Sequence, residues 1–213
     1  MSTALVTEHR ARLAETERRQ ILLDAAEAVF LREGYAVATM DDVARGAGMS
    51  KRTLYQCFAS KAELFEAVMD AALAPLRIDT SLAEGGPDLA RALEGILIAA
   101  ARHLLAPRQL ALFRLVIAEA HRSPELARAF HRAGPGRGAS SLELRIAAAV
   151  REGQLRPCDP KATAEMLYGM ALGSMHMTAL LGPREPPDEA EMAARIENAV
   201  QIFLHGALTT ARS

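Results

Sequence analysis

The chain reads as all-α, with an N-terminal three-helix domain containing a helix-turn-helix and a larger helical domain behind it. Three observations predict this. Half of the 213 residues are hydrophobic but only 4% are aromatic, and Ala and Leu dominate without an alternating strand pattern. Helix-start signals recur, with Ser, Thr or Asp followed three residues later by Asp or Glu at Thr39/Asp42, Ser60/Glu63 and Asp188/Glu191. Between Thr39 and Lys61 the run TMDDVARGAGMSKRTLYQCFASK sets two short helix signals around a glycine turn.

The elements follow in order. Met1 to Thr16 reads as a polar, mixed-charge flexible arm, with Arg10 and Arg12 as candidates for a minor-groove contact. A first helix is expected over Glu17–Glu33, with Ile21, Leu22, Ala25, Val29 and Phe30 on one apolar face and Gly34 as its stop. Tyr35 and Val37 are expected to pack under the turn motif. Thr39 and Asp42 cap the next short helix, and Gly46 and Gly48 break it. Ser50 starts the following helix, in which Leu54 and Phe58 share an inward face.

A helix from Ser60 turns Leu64, Phe65, Val68, Met69 and Leu73 inward, and Pro75 should end or kink it. Asp79 to Pro87 reads as a loop. Further helices are expected over Asp88–Leu105, Gln109–His121, a short segment opened by Ser123-Pro124, and Ser140–Glu152 closed by Gly153. Gly134-Pro135-Gly136 interrupts this series. Asp159-Pro160 opens a long helix to Leu181, Gly182 to Pro187 is a loop, and the last helix runs to about Leu208. The division by role is residues 1–16 arm, 17–63 helix-turn-helix domain and 64–213 remaining helical domain.

The outer face of the Ser50–Phe58 helix carries the chemistry. Lys51, Arg52 and Lys61 can neutralise phosphates, and Thr53, Tyr55 and Gln56 can donate hydrogen bonds to phosphate oxygens or base edges. Residues 1–61 hold nine Lys+Arg against eight Asp+Glu, so placement rather than net charge must do the work.

The segments ILLDAAEAVFLREGY, TMDDVARGAGMSKRTLYQCF and SKAELFEAV resemble, in order, the DNA-binding domain of the TetR/AcrR family of transcriptional regulators. That resemblance covers about a quarter of the chain. It implies recognition by the helix from Ser50 to Phe58, phosphate contacts from Thr39, Tyr55 and Lys61, and base or phosphate contacts from Lys51, Arg52, Thr53 and Gln56. The family often has histidine where this chain has Cys57, and a thiol is a weak donor, so Cys57 is left out. The resemblance also implies a homodimer joined by the last two helices. Met166, Met170 and Ser174, with Ile196, Val200 and Phe203, are the candidate interface. A two-fold dimer would present two recognition helices to half-sites about 34–36 Å apart, or a multiple of that spacing.

The middle helices are candidates for a small-molecule effector pocket, which needs an apolar lining with a few polar groups. His103, Phe113, Glu119, Met170 and His176 are the candidates. The expected mechanism is a repressor whose operator affinity falls when effector favours another spacing of the recognition helices, with the Ser60 helix as lever. Controlled genes, effector and operator are not encoded in these residues.

Other classes find little support. None of the six histidines has Glu three positions before it, and no His-Glu-x-x-His, phosphate loop or nucleophile elbow occurs. No cofactor or metal is expected. Cys57 and Cys158 read as reduced thiols of a cytoplasmic protein. No signal peptide or membrane span is expected. The alternatives are an all-helical enzyme without a recognisable catalytic motif, and a DNA-binding regulator controlled by a protein partner.

Overall fold

Helices account for most of the described residues of the computed structural model, and no strand occurs among them. These are 2–74, 88–133, 141–182 and 186–207, the side chains of 2–14 and 207 excepted. In chain order the helices are α1 (Ser2–Glu33), α2 (Met40–Gly46), α3 (Lys51–Cys57), α4 (Lys61–Leu73), α5 (Leu89–Leu104), α6 (Pro107–Glu119), α7 (Pro124–Ala133) and α8 (Ser141–Arg151). Then come α9 (Pro160–Tyr168), a π turn (Gly169–Gly173), α10 (Ser174–Leu181) and α11 (Glu189–Ala207). Pro75, Asp79–Pro87, Gly134–Gly136, residues 183–185, Leu208 and the Arg10 and Arg12 side chains lie outside the described residues.

Two compact units result. Unit 1 joins residues 1–73 with 111–137, and unit 2 joins 74–110 with 138–213. The expected division by role at residue 63/64 therefore does not coincide with the boundary of compactness. Helix α6 contributes to both units, because its first residues to Leu110 belong to unit 2 and the rest to unit 1.

Unit 1 is organised around an aromatic triangle. Phe30, Tyr35 and Phe65 meet edge to face or tilted, with ring centroids 5.3–5.7 Å apart. Leu22, Val43, Leu54, Phe58, Leu64 and Met69 surround them in full burial. Each such side chain contributes about 1.5–3 kcal/mol on leaving water. Helix α4 turns all five expected residues inward and packs α1 on one side and α7 on another. On the rim of the α4–α7 contact, Arg132 grips Glu66 with two guanidinium nitrogens.

Unit 2 packs α5 against α11 and α8, and α8 against α9. Arg102 makes a bidentate pair with Glu189, 2.9 Å at each bond, between α5 and α11. A fully buried arginine, Arg145 of α8, donates to Gln154 at 3.0 Å and lies 3.7 Å from the Glu152 carboxylate.

Several expectations change. Helix α1 starts at Ser2 rather than Glu17, so the segment expected as an arm continues the first helix. Ile21 lies at the edge of the apolar face, 41% exposed. Tyr35 is buried, but Val37 is 71% exposed and does not pack under the turn. Pro107 opens α6 instead of standing outside it, a position where its missing N–H costs nothing. The expected long helix to Leu181 contains the π turn, bounded by two glycines of low helix propensity.

Candidate nucleic-acid interface

Helix α2 begins at a completed capping box. The Thr39 hydroxyl accepts the Asp42 N–H at 3.2 Å, and the Asp42 carboxylate accepts the Thr39 N–H at 3.1 Å. The Thr39 hydroxyl also donates to that carboxylate. Hydrogen bonds from the Thr39 hydroxyl and N–H, helped by Arg45, hold the Asp42 carboxyl below its usual range. Thr39 is exposed, and its bonds to Asp42 are those of a cap.

Of the two turn glycines, Gly48 alone needs to be glycine for its backbone, with φ +64°. The Met49 N–H then closes on the Ala44 carbonyl at 2.9 Å. Gly46 stays helical, and a Cβ there would make ordinary contacts with Val29 and Ala25. Ser50 caps α3 by accepting the Thr53 N–H at 3.1 Å, and the two hydroxyls bond at 2.8 Å.

On α3, Leu54 is fully buried and Phe58, just past its end, is 1% exposed, as expected. Lys51, Arg52, Tyr55 and Gln56 are exposed, and Thr53 is half-buried. The seven sequence-assigned DNA residues thus divide. Arg52, Tyr55 and Gln56 present outward groups, Lys51 is ion-paired with Asp41, and Thr53 bonds to Ser50. From α1, Arg19 donates to the Cys57 carbonyl at 3.4 Å, and its guanidinium stands 4.3 Å over the Phe58 ring. Sequence reading missed Arg19 and Asp41, because neither contact is local.

Lys61 is placed differently from expectation. Its ammonium donates to the carbonyls of Tyr35 at 2.7 Å, Ala38 at 2.9 Å and Ala36 at 3.3 Å. It also lies 4.5 Å over the Tyr35 ring. An ammonium has three donors, and these acceptors use them. Burial pushes its pKa down, opposed by Glu125 and Glu119. The same burial, with Glu125, pushes Tyr35 up to about 12. Lys61 therefore ties the start of α4 to the segment before α2, and its ammonium is withdrawn from the phosphate-facing set. Just ahead of it, Ser60 accepts the Glu63 N–H at 3.1 Å, while Glu63 reaches back past Ser60 to the Ala59 N–H at 2.8 Å.

The effector candidates divide between the two units. Unit 2 has a narrow cleft lined by Ala101, Leu104, Leu105, Leu172, Met175 and His176, too tight to admit a water molecule. Of the candidates, His176 lines it, and burial pushes its imidazole pKa down. His103 is half-buried in unit 2 and Met170 is 43% exposed. Phe113 and Glu119 belong to unit 1, where Phe113 packs edge to face with Phe130 at 5.2 Å.

The interface candidates also divide. Met166 and Met170 are 64% and 43% exposed and Ser174 is exposed. Ile196 and Val200 are fully buried within the chain, so they are core and not a surface for a second copy. Phe203 is half-buried, while its neighbour Ile202, which the sequence reading did not select, is 57% exposed.

Comparison with known proteins adds to this geometry. The profile of bacterial regulatory proteins of the tetR family matches residues 22–68. The C-terminal domain of AefR-like transcriptional repressors matches residues 91–206. The transcriptional activator FasR of Mycolicibacterium smegmatis is 53% identical over 58 residues, 27% of this chain and 26% of FasR. The chain thus matches about a quarter of FasR's length. YhgD of Bacillus subtilis, an HTH-type transcriptional regulator by description, is 27% identical over 70% of this chain and 77% of its own. A TetR-family transcriptional regulator structure from Mesorhizobium loti superposes with TM-score 0.78 at 27% identity, covering 91% of this chain and 98% of that one. The flavonoid-responsive regulator FrrA superposes with TM-score 0.71 at 28% identity, covering 92% of this chain and 100% of FrrA.

Proposed function

Because the chain belongs to the TetR family of transcriptional regulators, we propose that this DNA-binding protein is a homodimeric repressor released from its operator by a small molecule. The observation that carries the DNA contacts is the two-sidedness of α3. Leu54 and Phe58 anchor it in the unit 1 core, while Arg52, Tyr55 and Gln56 point their polar groups outward. Arg52 and Gln56 suit bidentate base contacts, and Tyr55 suits a phosphate oxygen. Lys51, Thr53 and Thr39 complete the proposed surface. A role at DNA implies the cytoplasm, and no described helix is long and apolar enough to cross a membrane.

The dimer proposal rests on an exposed stripe. Met166, Met170, Met177 and Leu181 recur at helical spacing along α9, the π turn and α10, and Leu181 is 76% exposed. Beside them, a Cβ at Gly169 or Gly173 would meet nothing within 4 Å. A neighbouring helix could therefore approach closely at both glycines. Ser174, Ile202 and Phe203 extend the surface, replacing Ile196 and Val200. An exposed apolar stripe of this length is what a second copy would cover.

For the effector we favour the unit 2 cleft at His176. Its lining is apolar apart from one imidazole whose pKa burial lowers, which suits an uncharged molecule with a hydrogen-bonding hydroxyl. The cleft is too tight to admit even a water molecule, so entry would require the helices to part. The similarity to the flavonoid-responsive FrrA makes flavonoids the first class to try.

A gel shift on the promoter beside its own gene tests the core reading. We expect salt-dependent binding, lost in an Arg52→Ala/Gln56→Ala variant that remains folded, and reporter expression that rises when the gene is deleted. Salt-insensitive binding would refute the DNA contacts, and reporter expression that falls on deletion would make it an activator.

A further inference from the structure

The helix-turn-helix of unit 1 carries few cations, and most of them are already engaged. Asp42 holds Arg45, Asp41 holds Lys51, and backbone carbonyls hold Lys61. Among the described residues, Arg52 is the basic side chain of α3 with no carboxylate beside it. Asp42 has a fold-level reason to be acidic, since it closes the Thr39 cap. Asp41 makes no cap bond among the described residues. Its recorded partner is Lys51, the first residue of α3, and the two side chains are 50% and 63% exposed.

A carboxylate beside a recognition helix opposes a polyanion, because like charges across an interface are repulsive. Stability explains it poorly, since exposed ion pairs contribute little. An acidic residue in the first turn of α2 also favours the helix dipole, so the test must use a readout that the dipole would not move.

We infer that Asp41 sets the selectivity of DNA binding by holding Lys51 away from phosphate. This inference rests on the DNA-binding reading above. A lysine that reaches phosphate releases counterions whatever the base sequence, and that term supplies nearly all non-specific affinity. Pairing Lys51 with Asp41 removes one such contact per protomer from every non-specific complex. At a matching site, base contacts of Arg52 and Gln56 hold the helix in place. There the Asp41 carboxylate can accept a hydrogen bond from a cytosine amino group, leaving Lys51 to move to the backbone.

The test uses the full chain and two labelled duplexes of equal length, one selected by the unaltered protein from a randomised library and one scrambled. Affinities are measured across a salt series for the unaltered protein, Asp41→Asn, Asp41→Glu, Lys51→Ala and the Asp41→Asn/Lys51→Ala double variant. Asp41→Asn should bind the scrambled duplex roughly tenfold tighter, with a salt slope steeper by about one per protomer. Its preference for the selected duplex should fall, and Asp41→Glu should behave like the unaltered protein. In the Lys51→Ala background the gain should shrink to what the carboxylate's own repulsion of DNA supplies, and the steeper salt slope should disappear. No gain on the scrambled duplex, or a gain and salt-slope change as large without Lys51 as with it, would overturn the inference. An unaltered protein that binds neither duplex in a salt-dependent way would overturn the DNA-binding reading itself, a result seen before any variant is compared.

Discussion

Replacing Lys61 by methionine keeps the aliphatic stem and deletes the ammonium, separating a structural role from a DNA contact. In the folded chain that ammonium serves three carbonyls, two of them at 2.7 and 2.9 Å and part-buried. Hydrogen bonds to a charged group contribute about 1.5–3 kcal/mol each, and the part-buried pair dominates. Against them stand the desolvation that lowers the Lys61 pKa and up to about 2 kcal/mol of side-chain entropy regained on release. The net expected loss is about 2 kcal/mol. For a chain of this size that lowers Tm by roughly 4–8 °C, followed by circular dichroism. The salt slope of DNA binding, measured well below Tm, should not change, because no phosphate contact is removed. A variant with unaltered Tm and a salt slope shallower by about one per protomer would refute the reasoning and return Lys61 to the phosphate contacts.

Three further outcomes follow from the geometry. Gly48→Ala should cost roughly 1–2 kcal/mol in urea unfolding, since its φ is +64° with open space around a Cβ, whereas Gly46→Ala should be neutral or stabilise by up to about 1 kcal/mol. Met166→Glu with Ile202→Glu should convert the proposed dimer to a folded monomer by light scattering, with operator affinity falling at least tenfold, whereas a stable dimer would place the interface elsewhere. His176 has a folded pKa below its unfolded value, so the native state binds fewer protons and stability falls as pH drops from about 6.5 through the folded pKa. His176→Gln should flatten that acid-side loss in urea titrations at successive pH values, and an unchanged pH profile would count against a buried neutral imidazole.

What the sequence revealed was mostly local. The Thr39, Ser50 and Asp159 caps each join residues two or three apart, and all form as expected. Leu54 and Phe58 could be assigned inward from spacing alone. The engagement of Lys61 could not, because it depends on carbonyls 23 to 26 positions earlier being folded beneath α4. The Asp41–Lys51 pair likewise exists only once the turn has closed. On α11 an apolar stripe does not say whether it meets its own chain or another, which is why Ile196 and Val200 were assigned to the interface and Ile202 was not. The effector candidates suffered from the same ambiguity: helical spacing selects apolar positions, but it does not say that α6 divides and that Phe113 and Glu119 belong to unit 1.

The discontinuity of unit 1 has a consequence for how the protein is made. Its first 73 residues include the whole helix-turn-helix, but the unit is complete only when Arg137 has been added. Helix α7, which covers α4 and supplies Arg132 to Glu66, belongs to that late portion. At about 5–20 residues per second, the ribosome leaves the nascent recognition helix without this support for several seconds. The chain must also thread the opening stretch of unit 2 before it returns. A messenger cut short after α4 would therefore yield a headpiece with an uncovered apolar face, prone to capture by chaperones and proteases rather than competing for operators. The late arrival of α7 thus makes synthesis to the end of unit 1 a condition for a supported recognition helix.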